Sequence, residues 1–330
     1  MNKTSAAPKL TEFVAKTTVG IRKAKKILLS DSGYRGLPVD YPKQAASDLI
    51  CDRLLDSQPC MISRLGTVEL QTILCYLNIQ RKPKFALEKQ ISYLARQTPK
   101  YWWSNYRKLS MSKNAGFFPA TAENLDRFAR LYLEDIRNID IIGSWLKEER
   151  EIVDLLSDAR VVTLGSLQPW EHQNPWSRAL EDKTVLVIHP FAESIQNQYR
   201  QREHLFKDKR VLPKFELKTL PAVQSIAGNK TPFDSWFKAL DWMCDRVSQT
   251  QFDIAIIGAG AYGLPLASHV KKVGKKSVHL GGATQLLFGI KGKRWEEENY
   301  LQKISNQYWV RPLPSEMPAN FQYVEGGCYW

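Results

Sequence analysis
One stretch, Asp253–Trp295, limits the folds open to this chain more than any other. Ile254–Ile257 is an apolar, β-branched run of strand length. Gly258, Gly260 and Gly263 follow in GxGxxG spacing. Leu264–Val273 reads as a helix stopped by Gly274, Lys276–Leu280 as a second strand, and Ala283–Phe288 as a further helix after Gly281-Gly282. A strand, glycine turn, helix and strand in this order form the unit of a parallel α/β sheet. In that setting glycines let a ligand approach the backbone, and a helix N-terminus favours an anion.

A nicotinamide dinucleotide is the first ligand to weigh. Its site uses an acid about 20 residues on, at the end of the second strand, to hold the ribose. Here that strand ends in His279-Leu280-Gly281-Gly282, and no Asp or Glu lies between Asp253 and Glu296. A different phosphate-bearing ligand therefore fits better. The bland alternative is that the glycines serve only tight helix–strand packing.

The chain has 330 residues, 43% of them hydrophobic, with strand and helix patterns alternating throughout. This predicts an α/β fold: a doubly wound, mostly parallel Rossmann-like sheet with helices on both faces. A basic helix and linker over residues 1–42 and one α/β domain over 43–330 are expected. No apolar run is long enough to span a membrane, and the N-terminus has no apolar signal core, so a cytoplasmic protein is expected. The five cysteines lack metal-ligand spacing and fit reduced thiols. Net charge is +13, and much of the excess lies in residues 1–30. Leu10–Leu29 mixes apolar and basic residues, so an anionic membrane surface is an expected partner, peripheral on the inner face; the alternative is a solvated terminal helix. No nucleic-acid-binding motif is present, and nucleic acid is not expected.

A second informative stretch is Pro59–Leu77. Met61–Ser63 reads as a buried strand, Arg64 to Thr67 as a turn, and Val68–Leu77 as a helix with Thr67 at its N-cap and Glu69 in its first turn. Glu69 is either a helix-end acid or a site residue beside Arg64 at the strand's C-terminal end. His189, which ends the apolar strand Thr184–His189, is a site candidate or a structural histidine. Helices are also expected at Ala45–Asp56, Lys84–Thr98, Ala122–Ile139, Lys147–Leu156, Ala192–Lys207 and Thr231–Val247. The aromatic patches Tyr101-Trp102-Trp103 and Gly116-Phe117-Phe118-Pro119 fit core packing better than a sugar platform.

Three segments together resemble the bacterial GT-D-type glycosyltransferases, in particular the branch that builds polysaccharide and O-antigen. They are Ser63–Leu70 (SRLGTVEL), the loop and strand Asn174–Phe191, and Ile257–Gly263 with His279–Gln285. The resemblance covers roughly Pro59–Trp295. It implies a glycosyltransferase moving a sugar from a nucleotide-diphosphate sugar to a growing glycan, which can be lipid-linked. It implies donor binding by Arg64, Gly66, Thr67, Gly258, Gly260, Tyr262, Gly263, His279, Gly281, Gly282, Thr284, Gln285, Lys293 and Arg294. Glu69 and His189 are its candidate catalytic residues, with Glu69 as base unless a metal occupies it. In that family the first motif carries Asp-x-Glu, tied to Mn2+ or Mg2+ and the donor's diphosphate. Here Thr67 replaces the first acid and leaves Glu69 as the one metal candidate, so basic side chains such as Arg64, Lys293 and Arg294 are the alternative neutralising groups. A non-catalytic glycan- or phosphate-binding module and a nucleotide-dependent oxidoreductase are the rival functions.

Overall fold
The computed structural model of the chain describes residues 35–81, 91, 102–297, 300–324 and 327–330. Seven parallel strands form its sheet: β1 Cys60–Ser63, β2 Ile141–Ser144, β3 Arg160–Thr163, β4 Thr184–His189, β5 Glu216–Pro221, β6 Ile254–Ile257 and β7 Lys276–His279. Their order across the sheet is β3-β2-β1-β7-β6-β4-β5.

Side-chain alternation along each strand splits the core into two layers. Leu186 and Ile188 of β4 and Ala255 and Ile257 of β6 face one cluster, which includes Ile73, Phe128, Met243 and Val270 from four helices. Those helices are Thr67–Gln80, Ala122–Ile136, Trp236–Gln249 and Gly263–Lys272. Val185 and Val187 with Ile254 and Ile256 face the other cluster, which includes Ile50, Trp176, Ile195 and Leu287. The central strands are buried on both sides and read as continuous apolar runs. The sheet is thus the doubly wound, Rossmann-like architecture expected, with all its strand pairs parallel.

The strand order creates a crevice. From β4 the chain continues outward to its neighbour β5, whereas from β6 it continues the other way to β7. Connections leaving two adjacent strands in opposite directions part above their C-terminal ends, where open α/β sheets hold ligands. From β1 the chain departs toward β2, so the space over β1, β7, β6 and β4 is one continuous trough.

Several local expectations need correction. The helix read over Ala192–Lys207 breaks into Ala192–Tyr199 and Arg202–Leu205, because Gln201 leaves helical geometry. The helix read from Thr231 starts at Trp236, where the Ser235 side chain accepts from the Lys238 backbone N–H. Lys147–Leu156 is 3-10 helix, with a non-helical residue at Ile152. Residues 37 to 41, read as linker, lie against the sheet: Leu37 is buried and donates its N–H to Ser144 Oγ at 2.7 Å. The aromatic patch at Phe117 is core, packed on Phe128, Trp236 and Phe237. The segments where a basic N-terminal helix and a helix over Lys84–Thr98 are expected lie outside the described residues except for Ile91, as does Tyr101. No helix among the described residues is long and apolar enough to cross a membrane.

Candidate functional site
A cavity of about 220 Å³ occupies the trough. Each strand below it delivers its following residues to the wall: Arg64 to Thr67 after β1, Trp145 after β2, His189 and Pro190 from β4, Gly258 to Gly260 after β6, and His279 with Gly281 and Gly282 from β7.

Arg64 is the central cation. Its guanidinium sits 5.0 Å from the ring centre of Trp145, whose indole N–H donates to Leu65 O at 3.0 Å. Trp145 is held in turn by the fully buried Glu149, which accepts from the Trp145 backbone N–H and from the Ser144 hydroxyl. The Arg64 side chain is half-buried and lines the cavity. Its pKa is lowered by desolvation, opposed by the fields of Glu69 and Glu149. Among the described residues the guanidinium makes no hydrogen bond and no ion pair. A half-buried cation whose charged form is disfavoured by desolvation, without a bonded counter-charge, is stabilised when an anion binds.

Glu69 stands on the helix that starts at Thr67. The N-cap is Gly66, not Thr67 as expected, because Gly66 holds the extended backbone before the first helical turn. A Cβ on Gly66 would lie 2.0 Å from Glu69 Oε2, so only glycine lets this carboxylate fold back over the turn. Glu69, Arg64 and Thr67 thereby share one wall. Tyr132, which faces them, is anchored through its hydroxyl to Ala261 O.

The two histidines are neutral. Burial pushes each pKa down to about 3. His189 Nδ1 accepts the Phe191 N–H at 2.9 Å, which leaves the proton on Nε2. The ring is therefore a hydrogen-bond donor at neutral pH with no free lone pair, a poor fit to the base role. His279 Nδ1 meets Ser63 Oγ at 3.1 Å, tying β7 to β1.

The glycines divide by role. A Cβ on Gly263 would fall 2.2 Å from His279 Nε2, and one on Gly258 would fall 2.6 Å from both the His189 ring and Thr284 Oγ1. Both positions require glycine for packing, and Gly263 is not in the cavity wall. Gly260 differs: its φ is +53°, and a Cβ there would meet nothing within 4 Å. Gly281, with φ +60°, shapes the turn under the Arg64 side chain, and Gly282 gives way to the Tyr329 ring.

Of the other expected donor residues, Tyr262 lines the cavity with its ring stacked on Trp236 at 4.9 Å and its hydroxyl 3.1 Å from Ser225 Oγ. Thr284 is fully buried and donates to Ile257 O at 3.1 Å, so it fixes the turn and does not face the cavity. Gln285 uses its amide N–H groups on Ile290, Lys291 and Tyr329 carbonyls. It thus clamps the last residues of the chain to the site. Arg294 lines the cavity, 5.2 Å from the Tyr329 ring centre. Lys293 does not line it; its ammonium lies 3.7 Å from Glu297.

Sequence reasoning missed Tyr132, Trp145, Gln224, Tyr329 and Trp330, all in the wall. Trp145 had a usable signal, since it follows the apolar run Ile141–Ser144 as Arg64 follows β1. Tyr329 and Trp330 had none, because their placement depends on the Gln285 clamp and on the backbone bond from Lys293 N to Trp330 O at 3.3 Å.

A divalent cation at the first motif finds an ill-suited donor set. Among the described residues Glu69 is the one carboxylate in the wall, the neighbouring Thr67 brings only a hydroxyl, and a guanidinium lies close by. No cluster of three His, Cys, Asp or Glu residues able to hold a metal occurs among the described residues.

The chain matches no protein-family model, no curated protein and no solved structure.

Proposed function
We propose that this protein is a glycosyltransferase that uses a nucleotide-diphosphate sugar bound over β1, β7, β6 and β4. The observation that carries this reading is the pairing, in one cavity at the sheet's crevice, of the unbonded Arg64 guanidinium with the Glu69 carboxylate. Sugar transfer needs both kinds of group. The acceptor hydroxyl oxygen bonds to the anomeric carbon as the bond from that carbon to the donor diphosphate breaks. The electron pair leaves with the diphosphate, where a cation stabilises it, and the hydroxyl proton passes to a base. Arg64 suits the first task and Glu69 the second, while the His189 N–H supplies a neutral donor. The cavity is smaller than the ~300 Å³ of small ligand sites, so it suits the diphosphate and the reacting end of the sugar, with the nucleoside at the mouth.

The resemblance of Ser63–Leu70, Asn174–Phe191 and Ile257–Gly263 with His279–Gln285 to GT-D-type enzymes supports the same reading. The acceptor is then a glycan. A wider groove of about 770 Å³ beyond β3, lined by Gln44, Gln168, Gln173, Thr163, Ser166 and Tyr300 among others, offers the amides and hydroxyls that sugars bind. Association with an anionic membrane through the basic N-terminal residues accords with a lipid-linked acceptor. An oxidoreductase is the weaker reading, because β7 ends in His279 where a dinucleotide site places its acid.

Turnover of nucleotide-diphosphate sugars, read as release of the nucleoside diphosphate, tests the assignment. Glu69→Gln keeps the shape and removes the base. A fall of about 100-fold or more in rate is expected, the low end for general bases, with donor affinity and melting temperature little changed. Activity within a few-fold of wild type contradicts Glu69 as base, and no turnover of any donor by wild type favours a binding module.

A further inference from the structure
We infer that the cavity binds a diphosphate without a divalent cation, with the Arg64 guanidinium in the place where related chemistry uses a metal. This rests on the donor reading above only in taking the ligand to carry a diphosphate.

Three observations lead there. The first is the donor set. A hard divalent cation wants six or more oxygen ligands, usually including more than one carboxylate. Among the described residues the wall supplies one carboxylate, Glu69, folded back over Gly66. His189 has its Nδ1 occupied by the Phe191 N–H, and His279 Nε2 is pressed against Gly263, so neither imidazole is presented as a ligand. The second is electrostatic. Arg64 already places a positive charge within the field of Glu69, and Arg294 adds another that acts on Arg64. A dication entering between them meets repulsion that one carboxylate does not offset. The third is the state of Arg64 itself. Its guanidinium carbon lies over the Trp145 ring, 5.0 Å from the ring centre, a contact that neutralises no charge. A guanidinium without a bonded partner keeps its planar fork of donors available for two oxygens of a phosphate.

The inference makes an unusual demand on stability. If Arg64 is kept for an anion at a cost to the empty protein, replacing it with a neutral chain of similar length should not weaken the fold. Arg64→Met should melt at or above the wild-type temperature and lose diphosphate binding. A structural arginine would behave in the opposite way.

The test uses inorganic pyrophosphate and the full chain. Titration calorimetry is run in EDTA and again with Mn2+, on wild type, Arg64→Met and Thr67→Asp. Wild type is expected to bind in EDTA, with affinity changed less than about threefold by Mn2+, and Arg64→Met to lose at least tenfold. Thr67→Asp, which restores the second acid, should weaken binding in EDTA through charge repulsion and recover it with Mn2+. In parallel, pyrophosphate should protect Arg64 of the wild-type protein from phenylglyoxal, read by peptide mapping, so the result does not depend on any variant folding. Wild-type binding that requires Mn2+, or unprotected Arg64, overturns the metal-free site but leaves the donor reading standing. Absence of binding with and without Mn2+ overturns both.

Discussion
His189 and His279 illustrate how single residues set the site's chemistry. Each is about 4% exposed, and burial pushes each pKa down to about 3. In the unfolded chain a histidine titrates near 6.5, so between these values the unfolded state binds more protons. The folded state is therefore fully favoured above pH ~6.5 and loses roughly 1.4 kcal/mol per histidine for each pH unit below it. Glu149 and Asp135, whose carboxyls are raised by burial, act with the opposite sign. Replacing one histidine separates the contributions. His189→Gln should flatten the fall in melting temperature between pH 6.5 and 4.5, measured by calorimetry, relative to wild type. An unchanged slope means that His189 is not held neutral. The same neutrality explains why His189 offers a proton and Glu69 is the better acceptor of one.

At the scale of elements, the turn after β6 separates packing from binding. Gly258 and Gly263 have no room for a side chain, whereas Gly260 has room but a left-handed backbone. Gly263→Ala should therefore destabilise the protein severely, through a clash with the His279 ring. Gly260→Ala should cost only about 1–2 kcal/mol of backbone strain while placing a methyl group in the ligand space. Chemical denaturation should show this difference, and Gly260→Ala should still bind pyrophosphate at least tenfold more weakly than wild type. Equal stability losses in the two variants contradict the division. Much of this element was readable beforehand, because the apolar run Ile254–Ile257, the glycine spacing and Gly274 all obey local rules. That Gly263 and Thr284 lie outside the cavity wall was not readable, because the contact that places each is nonlocal: His279 for Gly263, and the Ile257 carbonyl for Thr284. Thr67 missed the N-cap by one residue because the extended backbone before the first turn falls at Gly66, and Thr67 is already helical.

Across the whole molecule, the sheet order brings β1 and β7 together although 212 residues lie between Ser63 and Lys276; their register sets Ile62 opposite Val278. That pairing joins the two stretches that the sequence singled out; the alternation of strands and helices foretold a parallel sheet but not this order, which nonlocal pairing decides. The last residues of the chain were not readable as part of the site. Tyr329 and Trp330 reach the cavity through bonds to Gln285 and Lys293, made possible by the absence of a side chain at Gly282. The central claim is that this trough is the donor site for a nucleotide-diphosphate sugar. A thermal-shift panel of nucleotide-diphosphate sugars and nicotinamide dinucleotides, repeated with Arg64→Met, tests it most directly. At least one nucleotide-diphosphate sugar should raise the melting temperature of wild type in a saturable way and leave Arg64→Met unmoved. Stabilisation by a nicotinamide dinucleotide alone, or by a sugar donor equally in both proteins, would contradict it.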